Sequence, residues 1–217
     1  MTIRIIITGA TGFVGEGVLL ECLEHPQISE VLMVNRKHFD LQHPKVRELI
    51  VSDFFQLDKF SHKLKYYDAC FFCAGISSVG MNEKEYTHIT YDTTMAFAKT
   101  VLQANEGLTF CFVSGSHTDS SEKGKIMWAR VKGKTENALM KLPFKNEYNF
   151  RPGGMISTAG QRNAKPVYKF IVKLIAFISP KRVSTLREVG LAMINAVLKG
   201  SRKQTLEIHD IKELAKL

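Results

Sequence analysis

Three glycines at three-residue intervals close the first apolar run of the sequence, Ile3-Arg-Ile-Ile-Ile-Thr-Gly9-Ala-Thr-Gly12-Phe-Val-Gly15. A strand that ends in such a turn and feeds a helix brings bare backbone N–H groups up to a pyrophosphate, where the helix dipole favours the negative charge. In this reading Gly9 permits the tight turn, Gly12 lets the backbone approach the phosphates without a Cβ, and Gly15 lets the helix pack closely on the sheet. A side chain at Gly12 is expected to be the most damaging. Thr11, Phe13 and Val14 belong to the same turn, and the ligand it predicts is a dinucleotide.

A second group bears on which dinucleotide. The next apolar run ends Val34-Asn35-Arg36-Lys37, where a site for NAD would present a carboxylate to the adenosine ribose. Two cations after an amide suit a 2′-phosphate instead, and Arg36 offers a planar fork to its oxygens. NADP(H) is therefore the favoured cofactor. If Arg36 and Lys37 only face solvent, NAD(H) is the alternative.

The elements that must position these groups alternate as in a doubly wound α/β sheet. Strands are predicted at Ile3–Thr8, Glu30–Asn35, Val46–Val51, Ala69–Cys73, Thr109–Ser114 and Tyr148–Arg151, with helices at Gly12–Glu24, Glu83–Ala104 and Ile126–Lys141. Gly160 to Lys199 reads as mostly helical with a loop at Ser179–Arg182. A short β segment at Gln204–Ile208 and a helix at Ile211–Leu217 follow. Right-handed crossovers would make one parallel sheet covered on both faces.

At 217 residues and 45% hydrophobic, the chain suits a single Rossmann-type domain over 1–217, with 154–217 contributing the substrate side. No secretory signal and no apolar run of the roughly 20 residues that span a bilayer is apparent, so a cytoplasmic protein is expected. Cys70 and Cys73 lie three apart on a predicted strand and point to opposite faces, so the four cysteines are expected to be thiols and no metal site is predicted. The net charge of +9 is uneven: residues 1–120 carry 10 Lys and Arg against 14 Asp and Glu, and residues 121–217 carry 20 against 7. The cations follow helix faces without an aromatic stripe, so no nucleic-acid partner is predicted.

The Gly-x-x-Gly-x-x-Gly spacing, Cys73-Ala74-Gly75 after strand four, and Arg151-Pro152-Gly153 after strand six resemble the short-chain dehydrogenase/reductase superfamily in its extended and atypical branches. The ending Val183-Ser-Thr-Leu-Arg-Glu-Val-Gly190 is most similar to the atypical group that holds Tat-interacting-protein-like oxidoreductases and small epimerase/dehydratase-family proteins. The resemblance implies that Ala74 and Gly75 line the cofactor, that Pro152 lies beside the nicotinamide, and that Asp53 meets the adenine. It also implies a serine after strand five and a Tyr-x-x-x-Lys on the next helix. Ser116 matches the serine, with Ser114 as second candidate, and Lys132 matches the lysine that holds the ribose. Trp128 stands in the tyrosine's place.

An indole N–H donates a hydrogen bond but does not ionise near neutral pH, so Trp128 cannot move the proton that accompanies hydride transfer to a carbonyl. His117, beside Ser116, and Tyr168 are the substitute acids in view, and a quinone-type acceptor that draws its proton from water needs none. In Val167–Ile178 the residues Val167, Phe170, Ile171, Leu174, Ile175 and Ile178 share a helical face, which reads as cover for the core or pocket, a membrane-surface helix, or a dimer contact. The expectation is an NADP(H)-dependent oxidoreductase acting on an unidentified small or lipophilic substrate, as monomer or homodimer. Its alternatives are a non-catalytic NADPH sensor or scaffold and a nucleotide-sugar epimerase or dehydratase. The last is disfavoured by the missing tyrosine and a short region after strand six.

Overall fold

Ile5 and Ile7 of strand β1 (Ile3–Thr8) enter one buried cluster and Ile6 enters another, because successive side chains of a strand point to opposite faces. A strand apolar on both sides needs cover on both sides, the condition of a parallel sheet between helical layers. The computed structural model, which describes residues 2–163 and 182–217, has that arrangement.

β1 pairs in parallel with β2 (Ile28–Asn35) on one side and β4 (Ala69–Phe72) on the other. The seven parallel strands run β3 (Val46–Ile50), β2, β1, β4, β5 (Thr109–Val113), β6 (Asn146–Arg151), β9 (Thr205–Glu207). One face is covered by α1 (Phe13–Glu24), α5 (Leu186–Lys199) and the terminal α6 (Ile208–Leu214). The other is covered by the 3-10 segment Phe54–Lys63, α3 (Thr93–Ala104) and the end of α4 (Met127–Leu139). The chain leaves β1 in one direction through β2 and β3, then returns to β4 on the opposite side. The order thus reverses between β1 and β4, and a crevice opens there at the carboxyl ends of the strands.

The Rossmann-type sheet and the first six strands stand where the sequence places them, with ends shifted by a residue or two. The long helix expected at Glu83–Ala104 is α2 (Glu83–Thr87), a π-turn at His88–Asp92, and α3. Thr93 Oγ1 donates to the His88 carbonyl at 3.0 Å, a bond reaching five residues back that suits the wider turn. Within the segment read as mostly helical, Gly160–Asn163 is turn and bend and Val183–Thr185 is strand β8. It pairs with β7 (Gly154–Ile156) in a separate two-stranded sheet. The last helix begins at Ile208, because Glu207 and Asp210 form a capping box there. The amphipathic stretch Val167–Ile178, Tyr168 and the loop up to residue 181 lie outside the described residues.

A buried polar network fixes α4 against β6. Arg151, the last residue of β6, donates from Nε to Glu136 Oε1 at 3.0 Å and from Nη2 to the other oxygen of the same carboxylate. Nη1 reaches Glu207 at 3.0 Å and Nη2 also reaches Ser120 Oγ at 2.6 Å. Glu136 is completely buried, so this forked pair supplies the countercharge that such a carboxylate requires. On the same strand, burial and then the nearby Glu136 charge push the Glu147 carboxyl up to about 8, against a hydrogen bond from Asn149. Its Oε1 has no hydrogen-bond partner among the described residues.

Glu147 is therefore a neutral acid in the fold at neutral pH, and the folded state holds a proton that the unfolded chain releases above about pH 4.5. Its contribution is fully present below that pH and is lost as pH rises through about 8, at no more than about 1.4 kcal/mol per pH unit. Glu147→Gln should thus gain stability over the wild type progressively across that window, as read by urea denaturation. Parallel stability curves for the two proteins would contradict this.

Candidate cofactor cleft and adjoining site

The turn after β1 is built from backbone alone. Gly9 sits at φ +69°, a region that glycine enters without a Cβ penalty, and a Cβ there would stand 2.7 Å from both the Cys73 carbonyl oxygen and the Ala74 nitrogen. Gly12 donates its N–H to the Gly9 carbonyl at 2.8 Å, and Glu16 is the first residue to close a bond inside α1, to Gly12 at 3.0 Å. No side chain among the described residues caps the helix. The first-turn amides before Glu16 therefore lie outside the helical ladder, the condition that makes a helix N-terminus receptive to an anion.

A cleft of about 980 Å³ lies over this turn at the order reversal of the sheet. It gathers Gly9, Thr11, Gly12, Arg36, Lys37, Asp53, Ala74 and Gly75, which the sequence had assigned to one ligand from four separate segments. Ala74 is held by its N–H, which donates to Thr8 Oγ1 at 3.1 Å. Arg36 and Lys37 are exposed and have no hydrogen-bond or ion-pair partner among the described residues. Asp53 caps the following 3-10 segment, accepting from the Phe55 N–H at 3.0 Å. Phe13, Val14 and Gly15 do not line the cleft. They are the first turn of α1 itself.

The residues expected to do chemistry form a second group at the ends of β5 and β6 and the start of α4. The Ser116 N–H donates to the Pro152 carbonyl at 3.2 Å, joining the two loops. The Trp128 ring lies over Gly115, with Cζ3 3.6 Å from where a Cβ would stand. Lys132, one turn on, donates from Nζ to the Val113 carbonyl at 3.3 Å and stands 5.5 Å over the Phe112 ring. Burial lowers its ammonium to about 8, against the Glu136 carboxylate that favours the charge.

The two serines differ. Ser114 is buried with its hydroxyl 3.0 Å from that of Thr118, whereas the Ser116 hydroxyl has no hydrogen bond among the described residues. His117 is exposed at φ +67°. The cysteines are free, no group of His, Cys, Asp or Glu among the described residues converges to hold a metal, and none of the described helices is long and apolar enough to cross a membrane.

Several groups of the site carried no sequence signal. Phe55 and His88 stack at the cleft, centroids 5.1 Å apart and 10° from parallel. Glu48 acts from behind the cleft and Glu136 from the buried face of α4, through partners 13 and 15 residues away.

A family model described as NAD dependent epimerase/dehydratase family matches residues 5–124. The Bordetella bronchiseptica enzyme WbmF, solved in complex with NAD+, superposes with a TM-score of 0.67 at 16% identity, covering 99% of this chain and 77% of that one. The UDP-N-acetylglucosamine 4-epimerase of Methanobrevibacter ruminantium gives 0.69 at 16%, over 95% and 76% of the two chains. The Helicobacter pylori ADP-L-glycero-D-manno-heptose-6-epimerase gives 0.68 at 15%, over 99% and 81%. At such identities the likeness is one of fold.

The steric order of the three glycines for folding follows from their surroundings. A Cβ on Gly15 would stand 2.1 Å from the Gly9 carbonyl oxygen, and one on Gly12 would stand 3.2 Å from it. Gly12→Ala should therefore melt within a few degrees of the wild type and Gly15→Ala should lose most of its folded signal, both read by circular dichroism. The reverse order would contradict this packing.

Proposed function

The chain belongs to the NAD dependent epimerase/dehydratase family, and we propose that it is an NADP(H)-binding, atypical short-chain oxidoreductase that passes hydride to a small or lipophilic carbonyl or quinone. The observation that carries this reading is the cleft itself, which sets Gly12 at the N-terminus of α1 on one surface with Arg36 and Lys37, two cations without partners among the described residues. The first-turn amides of α1 hold the pyrophosphate, Arg36 and Lys37 hold the 2′-phosphate, and Asp53 with Ala74 and Gly75 receives the adenosine side. Lys132 binds the nicotinamide ribose, Pro152 borders the nicotinamide, and Ser116 orients a substrate oxygen. Residues from 154 onward complete the substrate side of a single domain.

NADPH, when bound, supplies the hydride. The protein's own part is to fix the acceptor and exclude competing water. Trp128 contributes a flat apolar wall and one N–H donor, and it cannot exchange a proton at neutral pH. This favours acceptors that take their proton from water.

Trp128 also supports a second reading, in which the protein binds NADPH as a sensor or scaffold without turnover. A nucleotide-sugar epimerase or dehydratase is the third reading, and it draws on what the names of the similar structures state of those proteins. Such chemistry calls on the proton exchange that Trp128 does not supply.

Two measurements separate these readings. Quenching of Trp128, the one tryptophan, should report NADPH binding, and Arg36→Ala should weaken NADPH roughly tenfold or more while leaving NADH within about twofold. Equal weakening of both would count against the 2′-phosphate assignment.

Oxidation of NADPH is then followed with panels of quinones, aldehydes and ketones. Turnover of quinones above carbonyls is expected, and Trp128→Tyr should raise carbonyl reduction by on the order of 10²-fold. Tight NADPH binding with no turnover by either protein would favour the sensor.

A further inference from the structure

The assignment of Arg36 and Lys37 to a 2′-phosphate leaves one titratable neighbour unexplained. His38 follows them and lines the same wall of the cleft. Its Nδ1 lies 2.5 Å from Glu48 Oε2. Glu48 sits on the neighbouring strand β3, and its Oε1 also accepts the Asn35 side-chain amide at 3.0 Å and the Phe39 N–H at 2.9 Å.

One carboxylate thus gathers three donors from residues 35 to 39, and it does so without itself lining the cleft. Burial alone would raise the Glu48 carboxyl, but hydrogen bonds from Asn35, His38 and the Phe39 amide outweigh it and hold the group below the usual carboxylate range. Glu48 is therefore an anion at neutral pH. The contact with this anion fixes the ring through Nδ1 and leaves Nε2 to point elsewhere.

The same carboxylate disposes of Asn35. With Nδ2 committed to Glu48, the buried Oδ1 has no hydrogen-bond partner among the described residues, and Asn35 lines the cleft. At the end of β2 the ribose would therefore meet a neutral acceptor, and the acidic group of this region is turned behind the loop.

We propose that His38 is a third cation of the 2′-phosphate site, present only when protonated, and that Glu48 is the positioning residue that holds both its ring and the Asn35 amide in place. This rests on the NADP(H) reading and deepens it. The charged groups around His38 are Glu48 from β3, Arg36, Lys37 and Asp40 on its own loop, and Arg162, whose Nη1 reaches the Asp40 carbonyl at 2.9 Å. A dianionic phosphate arriving beside Arg36 and Lys37 also meets His38, which adds a third positive charge when protonated. NAD+, which lacks that phosphate, gains nothing from His38.

The test is calorimetric titration of the full chain with NADP+ and with NAD+ at several values between about pH 5.5 and 8.5. The second ionisation of a phosphate monoester, near about pH 6, acts on every variant alike, so the readout is the difference between wild type and His38→Gln. His38→Gln should weaken NADP+ roughly tenfold at the acid end and less than about twofold at the alkaline end, with NAD+ unchanged throughout. Glu48→Gln keeps an oxygen for Asn35 and Phe39 but removes the charge that holds the imidazole, so the His38 contribution at the acid end should shrink.

A His38→Gln effect that is absent, that does not vary with pH, or that falls equally on NAD+ would overturn this inference and leave the roles of Arg36 and Lys37 standing. Failure of the folded wild type to take up either dinucleotide would overturn both.

Discussion

The Gly9 carbonyl is the point on which three segments of this protein close. It accepts the Gly12 N–H, lies against the bare Cα of Gly15 at the start of α1, and belongs to a residue whose own missing Cβ admits the backbone after β4. Strand β1, helix α1 and the Cys73–Gly75 loop therefore meet without an intervening side chain. That contact aims the α1 N-terminus across the crevice between β1 and β4, where the reversal of strand order leaves room for a ligand. Arg36, Lys37, Asp53 and Ala74 line the same cleft as that turn, and in the proposed function the turn fixes the origin from which they are reached.

A second constraint sits at the other end of the site. Glu136 binds Arg151 through both oxygens, raises the Glu147 carboxyl, and partly restores the charge that burial takes from Lys132. One buried carboxylate thus joins the packing of α4 on β6 to the protonation of Lys132. Trp128 enters the same helix one turn before Lys132. Its ring closes over Gly115, so the site is walled where a tyrosine would have made it titratable.

What could be read from the sequence was what chain neighbours decide. The first strand, its glycine turn and the following helix are contiguous, and each was placed within a residue or so. The segments that line the cleft were also legible, since each lies at the end of an apolar run and the parallel topology brings such ends together. Glu48, Glu136 and Glu147 gave no sign, because a carboxylate's role depends on partners from other strands and on burial, neither of which has a local pattern.

The stack of Phe55 on His88 escaped for the same reason. The strands β7 and β8 have three residues each, too few to display alternation. The π-turn at His88–Asp92 leaves the helical period of its flanks nearly intact.

The account's central claim is that backbone amides in the first turn of α1 carry the diphosphate of a nicotinamide dinucleotide. Amide chemical shifts of isotope-labelled protein, followed as NADP+ is added, test it directly. The largest displacements should fall on Gly12, which lines the cleft, and on Phe13 and Val14, which follow it in the first turn of α1, with smaller ones at Arg36 and Lys37. If those three amides stay unmoved at about millimolar NADP+ while the protein remains folded, the claim fails.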